Sequence, residues 1–360
     1  MPSRLLILLG TKKGAFVLQG DPGRATFSVQ GPFCETMPIQ HLAWDPATGS
    51  LVAGAGSPWY GPTIWRSPAL GASWTQSSAG LTYGDGEGVP AVTRVWNVTA
   101  VGGALYAGVE PAGLFRSDDG GTTWSHVSAL RDHPSRPDWQ PGNGGLILHT
   151  IVPHPTDPQR MWIGISAVGV FETRDGGVSW TARNKGIRAD HLPDPYPEVG
   201  VCVHKFGVHP ANPERLYQQN HSGAYRSDDA GVTWQDMNDG LPSRFGFPLS
   251  VHPHDPETIW TVPLNGDDRG RYMPDGAAAV WRSRDGGGTW LRLSKGLPQQ
   301  HAYLGVLREA MAVDRLDPVG VYVGTSTGQL FSSRDEGDSW TLLADFLPPI
   351  SSVEAVLLDA

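Results

Sequence analysis

Cysteine is nearly missing from this chain: Cys34 and Cys202 stand far apart among 360 residues. Two such thiols exclude a disulfide framework, and without a C-x-x-C pair they suggest no zinc site. Charge is sparse as well, at 18% of residues, and 27 basic against 36 acidic side chains leave a net −9. Nucleic-acid binding calls for a clustered basic surface, and no basic run occurs. Long hydrophobic runs are also missing. The N-terminal "RLLILLG" is too short for a signal segment and is followed at once by "TKKGAFVL", so it reads as a strand. With no membrane span and no export signal, the expected partners exclude membranes and the expected location is the cytoplasm.

Glycine and proline are plentiful instead, at 46 and 31 residues, which suits short strands and turns and disfavours long helices. The strongest pattern is a repeated word. "SDDGGTTW" at Ser117 returns as "TRDGGVSW" at Thr173, "SDDAGVTW" at Ser227, "SRDGGGTW" at Ser283 and "SRDEGDSW" at Ser333, with spacings of 56, 54, 56 and 50 residues. A worn copy, "SPALGASW", starts at Ser67 with Ala69 in place of the acid. Such a period marks a repeat architecture. Each copy reads as a tight turn in which the Asp accepts backbone N–H bonds, a Gly adopts positive φ and the Trp packs beside its hairpin.

The word S/T-x-D-x-G-x-T/S-W resembles the Asp-box, or BNR, repeat of sialidase-type β-propellers, and five complete copies cover most of the chain. The resemblance implies a propeller whose repeated turns lie away from the functional face. It implies glycosidase-like chemistry only at the level of a superfamily, since Asp-box propellers also include xyloglucan-degrading enzymes, receptor ectodomains and photosystem assembly factors.

Before each box lies a strand pair such as "ALYAGVEPAGLFRS" or "RMWIGISAVGVFET", and "RLLILLGTKKGAFVLQ" fits the same template without a strand before it. The missing strand stands at the other end, in "ISSVEAVLL". The expectation is an all-β, seven-bladed propeller with four-stranded antiparallel blades. It forms one domain over 1–360, and residues 3–30 and 349–358 share a blade that clasps the ends together. Sialidases usually have six blades, and no R-I-P motif occurs near the N-terminus.

The segments "SHVSALRDHPSRPDWQPGNGG", "TARNKGIRADHLPDPYPEVG" and "PLNGDDRGRYMPDGAA" are long and fall on the face opposite the boxes, where they would wall a pocket over the channel mouth. Aligning the first strands brings Gln40, Asn97, His149, His204, Phe247, Glu309 and Glu354 into one channel-facing position. His149, His204, Glu309 and Glu354 are the candidate catalytic residues. The same four could hold a divalent ion in the central channel, or the acids could work as general acid and base, or the groups could simply pair with one another and with channel water. His41 lies one position off this register.

Arg94 and Arg308, with Arg244, could clamp a carboxylate or phosphate, as the arginine cluster of sialidases does, or serve as ion-pair partners. Tyr196 and Glu198, with Asp138, Asp190 or Asp194, match the residue types of a sialidase nucleophile and acid. Trp59, Tyr60, Trp139 and Tyr272 could stack on a sugar ring. Two classes of function remain open: a glycosidase-like hydrolase acting on a small polar or anionic, glycan-like ligand, and a non-catalytic scaffold for a ligand or protein partner.

Overall fold

A computed structural model describes residues 3–68 and 70–358. Met1, Pro2, Asp359 and Ala360 of the expected unit, and Ala69 of the worn repeat, lie outside the described residues. Seven four-stranded antiparallel sheets follow one another as the blades of a propeller. The clasp is present. Ile350–Leu358 pairs with Arg4–Thr11, and Gly14–Gly20 and Phe27–Phe33 complete that blade. In each of the other six blades the four strands run in sequence order, from an inner strand such as Val203–His209 to a short outer one such as Gln235–Asp236. Among the described residues no helix is long and apolar enough to cross a membrane.

The repeated word explains the turns. Asp119, Asp175, Asp229, Asp285 and Asp335 each accept the backbone N–H four residues on, at 2.8 to 2.9 Å. Ser117 shows the supporting role: its hydroxyl donates to Asp119 and accepts from the N–H of Gly121, whose φ of 85° is closed to most side chains. The Trp does more than pack on its own hairpin. Trp234 Nε1 donates to the Arg183 carbonyl and Trp290 Nε1 to that of Met237, both in the preceding blade. The backbone N–H groups of Trp124, Trp234 and Trp340 reach back likewise, to Ala79, Lys185 and Lys295. One word thus builds a turn and a seam between neighbours.

Glycines of the second strands have a different cause, close approach. A Cβ on Gly108 would stand 2.4 Å from the Leu148 carbonyl oxygen, and one on Gly324 would stand 2.5 Å from Ile350. Both contacts are with the inner strand of the next blade, so the small residue lets the blades converge towards the axis. Side chains from distant blades meet there: Thr150 Oγ1 donates to Glu309 at 3.3 Å although the two belong to the third and sixth blades.

Candidate functional site

A cavity of about 690 Å³ opens at one end of the channel. Its walls come from the long loops, through Asp138 and Gln140, His191 and Leu192, and Arg271. The floor comes from the inner strands. At five of these strands an irregularity in pairing inserts an extra residue: Gln40 between Ile39 and His41, Trp96 between Val95 and Asn97, His149, His204, and Ser351 opposite the Gly10/Thr11 step. Bulges re-aim side chains. Gln40, Trp96, His204 and Ser351 line the cavity, together with Phe247 from the irregular stretch of the fifth blade.

These bulges correct the expected register. Asn97 and Glu354 were aligned with the two histidines, but the equivalent residues are Trp96 and Ser351. A bulge breaks the two-residue alternation of a strand, so letters in the same column no longer face the same way. Glu354 pairs opposite Leu8, farther along its strand, and stands 3.2 Å from His41 Nε2.

The four-residue metal set is likewise divided by the structure. His149 is fully enclosed, with Nδ1 at 2.8 Å from Thr150 Oγ1 and Nε2 within reach of Ser166 Oγ and the Val203 carbonyl. Glu309 forms an ion pair with Lys205, and Glu354 is occupied by His41. Among the described residues, the metal-ligating atoms that do converge belong to Cys202, His204 and His221, all within 4.8 Å of one another. Only His204 was anticipated.

Of the expected catalytic and clamping groups, His204, Glu309 and Arg308 line the cavity, whereas His149, Glu354 and Arg94 do not. Arg94 lies 2.9 Å from Glu110, and Arg244 pairs with Asp236 on the surface. Tyr196 and Glu198 are also outside the lining, and Asp190 pairs with Arg188. Trp139 is buried against Phe171, so it packs rather than stacks on a ligand, and Tyr272 packs edge-on against Tyr303. Trp96 takes the aromatic place at the mouth.

Burial dominates the electrostatics. Desolvation, reinforced by Arg308, holds His149 and His204 well below the ordinary imidazole range, so both are neutral. His41 moves the other way. Burial opposes its charge, yet the Glu354 carboxylate at Nε2 and the charge of Glu309 prevail and raise it. The sign for stability follows by linkage. Below about pH 6.5 the unfolded chain protonates histidines that the fold keeps neutral, while the contribution of His41 is already fully present. Urea unfolding is therefore expected to show stability falling as the pH drops from 6.5 towards 5, with a shallower slope in a His149→Gln, His204→Gln variant. An equal slope in that variant would remove the two rings as the cause.

No family model matches the chain. It is 27% identical over 274 residues to a xyloglucanase of Hypocrea jecorina, an alignment covering 69% of this chain and 29% of that protein. Among solved structures, a GH74 enzyme of Niastella koreensis matches with a TM-score of 0.62 at 19% identity, over 97% of this chain and 51% of the other. YCF48 bound to D1 peptide matches with a TM-score of 0.54 at 14% identity, over 90% of this chain and 87% of the other. The likeness in structure is one of fold. The chain spans only 26 to 29% of the length of the first curated relatives it matches.

Proposed function

We propose that the protein is a glycosidase-like hydrolase whose channel-mouth cavity holds a small polar or anionic, glycan-like ligand. The observation that carries this reading is Arg308. Its Nε is buried without a hydrogen-bond partner among the described residues, and its guanidinium sits over the Phe247 ring, 5.5 Å from the centroid, in the cavity wall. A buried guanidinium donor left without a hydrogen bond favours an anionic group as its partner. Arg271, over the same Phe247 ring at 5.8 Å, brings a second guanidinium to the wall.

Asp138 and Glu309 supply two carboxylates to one cavity, the minimum that acid-assisted glycoside cleavage requires. Asp138 comes from the short 3-10 turn Arg136–Asp138 in the loop before the third blade, and Glu309 from the floor. Lys205 and Thr150 hold the Glu309 carboxylate through an ion pair and a hydrogen bond. We assign Glu309, fixed by these two contacts on the cavity floor, as the base or nucleophile, and Asp138 on the wall as the acid. Trp96 offers the ring face on which a sugar stacks. The xyloglucanase relatives make glycans the first ligands to test.

Release of reducing ends from xyloglucan oligosaccharides and from uronate-bearing oligosaccharides is the measurement. Glu309→Gln and Asp138→Asn are each expected to lose at least about 100-fold in kcat while remaining folded, with a lower melting temperature for Glu309→Gln, which gives up the ion pair with Lys205. Binding of the same sugars without any cleavage by the wild type would replace hydrolysis by the second reading, a non-catalytic scaffold. Its support is that Glu309 already has partners inside the fold.

A further inference from the structure

The fourth blade brings three soft or borderline donors to one corner of the cavity. Cys202 lies just before the inner strand, His204 is its bulge residue, and His221 sits in the turn between Asn212–Asn220 and Gly223–Ser227. Cys202 Sγ and His204 Nε2 are 3.6 Å apart. With Zn–S of about 2.3 Å and Zn–N of about 2.0 Å, tetrahedral geometry calls for an S···N edge of about 3.5 Å. We propose that Cys202, His204 and His221 form a three-ligand site for a divalent cation, zinc above all, with the fourth position open to the cavity.

The surroundings support this assignment independently of the spacing. His204 Nδ1 donates to the Gly246 carbonyl at 2.6 Å, so the lone pair is on Nε2 and points towards Cys202. Zinc-binding histidines are oriented by this kind of second hydrogen bond. Phe247 lies against the His204 ring with centroids 4.6 Å apart, and Phe245 lies against His221 at 5.1 Å, which fixes both rings in an apolar shell. Thiolate and imidazole together favour zinc over magnesium or calcium. Three protein ligands with one open position are the arrangement of sites that keep an exchangeable water.

Charge decides what occupies that position. Zn²⁺ with one thiolate keeps a net positive charge, and Arg271 and Arg308 line the same cavity. The fourth ligand is therefore an anion, either hydroxide or an acidic group of the bound ligand. The site stands whether or not the protein cleaves glycosides, because Glu309 and Asp138 are not among its ligands.

The test uses the full chain, stripped with chelator and titrated with zinc alone, then with cobalt as a spectroscopic substitute. One equivalent of zinc should bind, and the cobalt form should show a thiolate-to-cobalt charge-transfer band. Cys202→Ser and His221→Ala should each abolish the band and weaken zinc by more than about 100-fold, since even outer-shell partners cost about 10–100-fold. Glu309→Gln should keep both, which separates this site from the hydrolytic reading.

A second readout needs no variant. Burial pushes the Cys34 thiol up to about 12, so iodoacetamide at neutral pH reports on Cys202, and zinc should protect it. Substoichiometric zinc, binding unchanged in both variants, or alkylation of Cys202 indifferent to zinc would each overturn the site.

Discussion

Deleting Ile350–Leu358 should leave a chain without a cooperative unfolding transition. The strand lies along Arg4–Thr11 from Arg4↔Leu358 to Thr11↔Ile350, and Ile350 and Val353 are buried in the core. Each of those two side chains is worth about 1.5–3 kcal/mol in burial alone. Leu5, Ile7 and Leu9, all fully buried, would lose their inner neighbour as well. Set against a total stability of about 5–15 kcal/mol, the loss removes most or all of the margin. Thermal circular dichroism and size-exclusion chromatography would show an expanded or aggregating chain, and a synthetic ISSVEAVLL strand added in trans should partly restore the transition. A monomer melting within about 5 °C of the parent would mean that the clasp contributes little.

Glu172 should give the largest effect of any single substitution. Its carboxylate is buried, and Arg160 and Arg174 donate to one oxygen, at 2.7 and 3.0 Å, while Arg183 donates to the other at 2.6 and 2.8 Å. Arg160 also reaches Glu214 of the next blade, at 3.4 Å, so the cluster spans a seam. Glu172→Ala leaves three guanidinium groups facing one another, for which about 3–5 kcal/mol is the expected loss. At roughly 2 °C per kcal/mol in a chain of this size, the melting temperature should fall by about 6–10 °C. Burial alone would raise the Glu172 carboxyl, but the arginines lower it, so its contribution is present above the ordinary carboxylate range and disappears on acidification. The variant should accordingly lose part of the acid sensitivity of the parent below about pH 4.5. A shift under about 2 °C in a calorimetric scan would show the arginines to be satisfied by water.

The architecture was legible because five of the seven blades write their turn in the same letters. Asp119 and its counterparts need only local hydrogen bonds, which sequence states directly, and the clasp followed from one unpaired strand at each end. The site was less legible. His204, Glu309 and Arg308 were found because a polar or charged residue at the start of an inner strand is visible in the sequence. Trp96 was missed because a bulge shifts the face by one residue without any signature in the letters, and Ser351 because the equivalent position in the last strand lies three residues before Glu354. Cys202 lacks a C-x-x-C partner, and the bulge at His204 that helps to bring the two donors together has no signature in the letters. His221 approaches from the far end of another strand, and the partnership of Lys205 with Glu309 spans two blades, so both are tertiary facts.

The clasp also decides how the molecule can be tethered. Lys12 and Ser351 line the cavity, whereas Arg4 and Leu358 stand opposite each other at the far end of the same two strands. Strands of this length carry the chain about 23 Å, so Arg4 and Leu358 stand side by side on the face away from the mouth. Anchoring the protein to a bead or a surface through the edge that Arg4 and Leu358 share should leave the cavity facing open solvent.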